Sequence, residues 1–303
     1  MVFLILDKSH ILRYTLRKAA HSKHPLQQRK ATINNAMSNN LKNKKLFLLD
    51  MDGTLYLDGD LFPCTLPFLE KIKEIGGQYL FLTNNSSKSA YSYVEKLNKM
   101  GIEATIDQLV SSVQATAKYL LEHHKEELIY VAGTESLKKE LREAGLRITD
   151  TLEGGNFEAI TCLLQGFDTE LTFKKLDDCS RLLTRGVTFI ATNPDWVCPT
   201  AYGYVPDCGS VCEMLFRATG KRPRFIGKPQ PDMVYMALEK TGCKKEEAML
   251  IGDRLYTDVA CALNAGIDGA FVLSGEGTLK DIEETGVEPT FIFDDVGQIA
   301  ALL

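Results

Sequence analysis

The sequence predicts an α/β protein built on a mainly parallel sheet. Two observations carry that expectation. Short continuous apolar runs, the first of them Leu46-Phe47-Leu48-Leu49, recur along the chain with helical patterns between most of them. A run without polar alternation suits a strand buried on both faces. Polar residues close several of these runs, and open parallel sheets place their ligands beyond the carboxyl ends of the strands.

In chain order, residues 1–43 differ from all that follows. Residues 1–45 hold ten Lys/Arg (Lys8, Arg13, Arg17, Lys18, Lys23, Arg29, Lys30, Lys42, Lys44, Lys45) against one acid, Asp7. Asp7 and Lys8 interrupt the only short apolar run there, which disfavours a secretory signal. The expectation is a poorly ordered basic extension; an organelle transit peptide and a true start at Met37 are the alternatives. From Lys44 the pattern changes. The strand 46–49 ends in Asp50, a helical stretch spans about 65–75, and the strand 79–82 runs into Thr83. Further strands are expected at 128–131, 159–164, 187–191, 224–226, 248–251 and 269–273.

Composition excludes several classes of function. The 303 residues are 45% hydrophobic and 25% charged, with no run near the roughly 20 apolar residues that span a bilayer. Setting aside the basic segment leaves 25 of the 35 basic and 39 of the 40 acidic residues, a net of −14. Nucleic acid is a poor partner for such a surface. The eight cysteines contain no C-x-x-C pair, so the expectation is reduced thiols in a cytoplasmic enzyme rather than a zinc site. All five histidines lie at 10, 21, 24, 123 and 124, so chemistry elsewhere must rest on carboxylates, lysine and hydroxyls.

The strongest local signal is Asp50-Met51-Asp52-Gly53-Thr54, directly after the first buried strand. Two carboxylates at this spacing can divide a reaction, one attacking while the other exchanges protons. Close carboxylates repel unless a cation neutralises them, so a divalent metal is expected. Thr83-Asn84-Asn85-Ser86-Ser87 closes the second strand with donors suited to phosphate oxygens, although the same residues also serve as ordinary helix caps. Lys228, in Gly227-Lys228-Pro229, could supply a fixed positive charge, though such a tripeptide is often a surface turn. Asp253 and Asp258, in Gly252-Asp253-Arg254-Leu255-Tyr256-Thr257-Asp258, suit a hard metal, or a helix start decorated with acids. No dinucleotide or P-loop fingerprint is present: Gly275-Glu276-Gly277 lacks its third glycine, and Gly220-Lys221-Arg222 lacks a Ser/Thr.

In this order the four elements resemble the motifs of the haloacid dehalogenase (HAD) superfamily, from about Lys44 to the end of the chain. The resemblance implies a Rossmann-like core. It further implies phosphoryl transfer, since dehalogenases of the superfamily lack an acid at the position of Asp52. From Asp50 to Thr83 there are 33 positions, too few for a large lid, but from Asn85 to Lys228 there are 143. A second, smaller α/β cap domain is therefore expected at 128–206, with the core at 44–127 and 207–303. That arrangement, with Ala191-Thr192-Asn193-Pro194-Asp195 near the end of the insertion, is similar to the NagD-like and 4-nitrophenylphosphatase branch.

By resemblance, Asp50 is the nucleophile and Asp52 the general acid and base. Mg2+ sits on Asp50, the backbone of Asp52 and Asp253, with Asp258 in the surrounding shell. Thr83, Asn84, Asn85 and Lys228 meet the phosphoryl group. Trp196, Cys198 and Tyr202 of the cap are candidates to touch the leaving group, or else pack between cap and core. The implied partner is a small phosphorylated metabolite, with a homodimer through the cap by analogy. A phosphomutase, or a catalytically silent regulator on the same fold, is the alternative reading.

Overall fold

A computed structural model of the chain describes residues 41–303 apart from 58 and 201. The expected basic extension lies outside the described residues except for 41–43, where Leu41 is already buried in the core.

The main sheet has six strands: β1 (Leu46–Leu49), β4 (Gln78–Thr83), β5 (Leu109–Ser111), β13 (Ala248–Gly252), β14 (Asp268–Val272) and β15 (Phe291–Phe293). All neighbours pair in parallel, in the order β15-β14-β13-β1-β4-β5. β1 lies at the middle because all four of its residues are fully buried and face two ways. Leu46 and Leu48 join one apolar cluster, while Phe47 and Leu49 join the other, where Phe47 meets Phe68 edge to face. From β1 the chain winds one way through β4 and β5, and later the other way through β13, β14 and β15. The crevice at such a reversal opens at the carboxyl ends of the flanking strands. Here those ends carry Asp50, Thr83 and Asp253. A short antiparallel pair, β2 (Tyr56–Leu57) with β3 (Asp60–Leu61), follows the first of them.

The second sheet is also parallel. Its strands β6 (Leu128–Ala132), β7 (Ile148–Thr149), β8 (Ile160–Gln165), β9 (Thr188–Ala191) and β12 (Arg224–Phe225) lie in the order β12-β9-β8-β6-β7. An antiparallel hairpin, β10 (Val197–Thr200) with β11 (Gly203–Pro206), extends from it. Sheet membership moves the expected end of the insertion. The core does not resume at 207: Arg224 and Phe225 pair with Ile190 and Ala191 of the second sheet. The helix Cys208–Thr219 buries Cys208, Val211, Cys212 and Leu215 in that sheet's apolar cluster. The insertion therefore runs to about 225, and Lys228 follows its last strand rather than a strand of the core.

Of the helices, α1 (Thr65–Glu74), α2 (Ala90–Lys99) and α3 (Ser112–His123) precede the insertion. α3 joins the two units. Val113, Ala115, Ala117 and Leu120 share one cluster with Leu46 and Leu48 of the core and with Ile129, Leu137 and Leu164 of the insertion. The Ser111 hydroxyl accepts from the Gln114 N–H and the Gln114 side chain reaches back to the Ser111 N–H, a capping box that fixes where this helix starts. With apolar packing continuous from sheet to sheet, the insertion is held against the crevice rather than tethered beside it.

Truncating Phe47 would remove the ring that fills one face of the central strand. Phe47→Ala should destabilise the fold by about 3–5 kcal/mol. Chemical denaturation would read this as an earlier transition of the core, and an unchanged midpoint would contradict the placement of β1.

Candidate active site

Asp50 is the residue at which β1 runs out, and its backbone N–H still bonds Ile251 O at 2.9 Å. Its carboxylate Oδ1 accepts from Lys228 Nζ at 2.6 Å, and the same ammonium donates to Asp258 Oδ1, also at 2.6 Å. Lys228 is buried. Burial alone would push its proton off, but Asp258 and Asp50 outweigh burial and hold the lysine above its ordinary value. Asp50, by contrast, is pushed up to about 7, by burial first and the Asp258 charge second, against the pull of Lys228.

Asp253 makes a third carboxylate. Ligand atoms of Asp50, Asp253 and Asp258 all lie within 4.8 Å of one another. Burial, then Asp50 and Asp258, hold Asp253 well above the carboxylate range. Asp253 Oδ2 accepts from the Glu276 N–H at 2.7 Å, whereas Oδ1 is buried with no hydrogen-bond partner among the described residues. A buried, orphaned carboxylate oxygen among converging acids is what a hard divalent cation would satisfy. The residues present therefore fit such an ion, held by Asp50 and Asp253 with Asp258 alongside. Gly53 is required here. It has φ +83°, and a Cβ on it would stand 2.4 Å from Asp253 Oδ2.

Asp52 stands apart from this cluster. Its carboxylate is 42% exposed to solvent and lies 3.9 Å from Lys96 Nζ, which in turn sits 4.1 Å above the Tyr56 ring. Two acids of one short motif thus occupy different environments, one buried against a cation site and one open to the cleft.

The second motif has a division of labour that its composition does not reveal. Thr83, Asn84 and Asn85 all line the cleft. The Asn84 side-chain amide is engaged within the protein. Its Nδ2 donates to Lys228 O at 2.9 Å and to both Asp195 oxygens at 3.1 and 3.2 Å, while its Oδ1 accepts from the Lys228 N–H at 2.8 Å. Asn84 thus fixes the lysine's backbone on both sides. Gly227 lets this happen, because a Cβ there would stand 2.6 Å from Asn84 Oδ1.

These groups open into a cleft of about 990 Å³ between the core and the insertion. Cys198, with Val197 and Pro199 on β10, lines it, and the Asn85 amide lies 3.9 Å from Cys198 Sγ. Trp196 and Tyr202 do not line it. Trp196 precedes the strand with its ring half exposed, and Tyr202 sits at the hairpin tip, 82% exposed. The hairpin therefore offers the cleft its strand residues, not its flanking aromatics.

Other lining residues are not marked by the sequence as functional: Arg254, Asp207 and the lysines at 88, 96 and 99. A pattern was available for some of them. Ser92, Lys96 and Lys99 recur at helical spacing on α2 and so share one face. Arg254 pairs with Glu276 at 3.0 Å, 22 residues on, a partner that no local pattern reveals.

Comparison with known proteins decides the family. Residues 47–147 match the family described as haloacid dehalogenase-like hydrolase, and residues 225–299 match the one described as HAD-hydrolase-like. An acid sugar phosphatase of Staphylococcus aureus is 35% identical over 263 residues, 87% of this chain and 99% of that protein. The chain belongs to the HAD superfamily. Within the superfamily it falls in the NagD-like and 4-nitrophenylphosphatase-like branch. The solved 4-nitrophenylphosphatase of Thermotoga maritima is 41% identical over 86% of this chain and 98% of its own, with a TM-score of 0.80. A glycerol phosphate phosphatase of Mycobacterium tuberculosis, solved in complex with calcium, is 28% identical over 86% of this chain and 76% of its own, with a TM-score of 0.77. The two sheets of this HAD protein are accordingly its core and its cap.

The cap acid Asp207 supports a pH test independent of the metal. Its Oδ1 accepts from the Cys208 N–H at 2.5 Å, and burial raises its carboxyl to about 7. An acid raised on folding contributes stability in full below its unfolded value near 4 and loses it as pH rises through about 7. Asp207→Asn keeps the acceptor and removes the titration. The variant should match the wild type near pH 4 and exceed it by on the order of 4 kcal/mol at pH 8. A stability difference that is the same at both pH values would contradict the assignment.

Proposed function

We propose that this HAD protein is a Mg2+-dependent phosphatase of small phosphomonoesters, working through an aspartyl-phosphate on Asp50. The observation that carries the reading is Lys228, held between Asp50 and Asp258 beside an unsatisfied Asp253 oxygen. Named relatives that are phosphatases of sugar, glycerol and 4-nitrophenyl phosphates support the same reaction class.

A divalent cation on Asp50 and Asp253 would offset the charge of the cluster and of the incoming phosphate. Asp50 is placed to attack phosphorus, because it ends a rigid buried strand and its Oδ1 is fixed by the lysine. Lys228 adds a preorganised positive charge where the phosphoryl oxygens gather, with Thr83 and Asn85 as further donors. Asp52, open to the cleft, protonates the departing alcohol and then takes a proton from the water that hydrolyses the intermediate. The cap covers the cleft and limits water during the first step. Cys198 and its neighbours on β10, with Lys96 of α2 lining the same cleft, are the side chains best placed to meet the leaving group. All eight cysteines are free, which supports a reducing, cytoplasmic setting.

Phosphate release from a panel of phosphomonoesters, with and without Mg2+, tests the proposal. Wild type should turn over, and Asp50→Asn should lose at least about a thousandfold. Chelation should abolish turnover. Release that persists in Asp50→Asn would remove the nucleophile from the scheme. Asp52→Asn should reduce steady-state turnover about 10²–10⁴-fold. With 4-nitrophenyl phosphate it should still release close to one phenol per active site in the first turnover, because that acidic phenol departs without a proton while hydrolysis of the aspartyl-phosphate stalls. A uniform loss with no burst would assign Asp52 a different role.

A further inference from the structure

Asp195 belongs to the cap, yet its carboxylate is buried and meets the second motif of the core. Both of its oxygens accept from Asn84 Nδ2, at 3.1 and 3.2 Å. The segment around it is clamped in the same place. Asn193 Nδ2 donates to Asn84 O at 2.9 Å, Asn193 Oδ1 accepts from the Asp195 N–H at 3.0 Å, and Asp195 O accepts from the Gly209 N–H at 2.8 Å. Asn84 passes the constraint on. Its two ends bond the N–H and the C=O of Lys228, whose ammonium spans Asp50 and Asp258.

We infer that Asp195 is a positioning residue for the catalytic lysine: a cap carboxylate that orients the Asn84 amide, which in turn fixes the backbone from which Lys228 reaches the nucleophile. The amide alone has two ways to sit, with N and O exchanged. Only one of them offers an acceptor to the Lys228 N–H and a donor to its C=O. A carboxylate on the Nδ2 side accepts and cannot donate, so it selects that orientation. The cap thereby does more than cover the cleft. It completes the core's own arrangement, and Lys228 is set only while the Asn193–Asp195 segment is docked on Asn84. This rests on the phosphatase reading above.

The test uses the full chain with Mg2+ and 4-nitrophenyl phosphate, comparing wild type, Asp195→Ala, Asp195→Asn, Asn84→Ala and the Asp195→Ala/Asn84→Ala double variant. Lys228 stabilises charge in the transition state, so Asp195→Ala should lower kcat at least tenfold with KM changed less than threefold. Asp195→Asn keeps one acceptor within reach of Nδ2 and should recover most of that loss. The double variant should lose little more than Asn84→Ala alone, because residues in one relay are not additive. A wild type inactive on every ester would overturn the phosphatase reading itself. An active wild type with kcat unchanged in Asp195→Ala would overturn only the relay, as would multiplicative losses in the double variant. Should the alanine variant not fold, Asp195→Asn against Asp195→Gln decides on the same terms. The longer side chain displaces the acceptor, and equal kcat values in the two would overturn the proposal.

Discussion

Three carboxylates and one ammonium share a buried space in which like charges repel strongly, and most of the site's construction follows from that crowding. Asp50, Asp253 and Asp258 come from the ends of two adjacent strands and the short helical segment Leu255–Val259 after one of them, so their proximity is imposed by the register of β1 with β13. Lys228 bonds Asp50 and Asp258, leaving one Asp253 oxygen without a donor among the described residues. A folded chain that keeps such a cluster is poised for a cation and for an anionic substrate together, since each relieves the field created by the other. Gly53 is the local consequence: any side chain there would occupy the space beside Asp253.

The same crowding explains why the lysine comes from outside the core sheet. A lysine on a flexible turn would rotate towards solvent and leave the acids unpaired. Here its backbone leaves β12 of the cap sheet and is immediately gripped on both sides by Asn84. Ser112, at the start of α3, donates to Asn84 O at 2.6 Å, so the helix that joins the two apolar units also steadies the asparagine. Packing, helix start and active-site geometry are one construction at this point.

How much of this is legible in the sequence depends on the range of each interaction. The β1 strand and Asp50 can be read directly, because four consecutive apolar residues followed by Asp-x-Asp-Gly-Thr is a local pattern with a chemical reason. The insertion is legible from spacing, but its end is not. The spacing assigns residues 208–219 to the core, whereas their packing on the second sheet and the pairing of Arg224 and Phe225 with β9 place them in the cap. Short strands such as β5 and β15, three residues each, are set by the neighbours they pair with and carry too few positions for a periodic signal. Trp196 and Tyr202 illustrate a different gap. A lone tryptophan near a cleft is conspicuous in a sequence, but the direction of its side chain depends on where the hairpin begins.

Residue type also conceals the roles inside the second motif. Threonine and two asparagines read as three phosphate ligands of similar worth, yet one asparagine is taken up by the backbone of Lys228 and by a cap aspartate. An amide suits that position because it offers donor and acceptor at opposite corners of one plane, matching the C=O and N–H of a single residue. A serine or threonine hydroxyl could satisfy one of those groups but not both at that separation, and aspartate would supply no donor. Asparagine at position 84 therefore follows from the geometry of the backbone it holds. In this site, positioning the charge that acts on phosphate is a separate task from touching phosphate, and neighbouring residues of one motif divide the two.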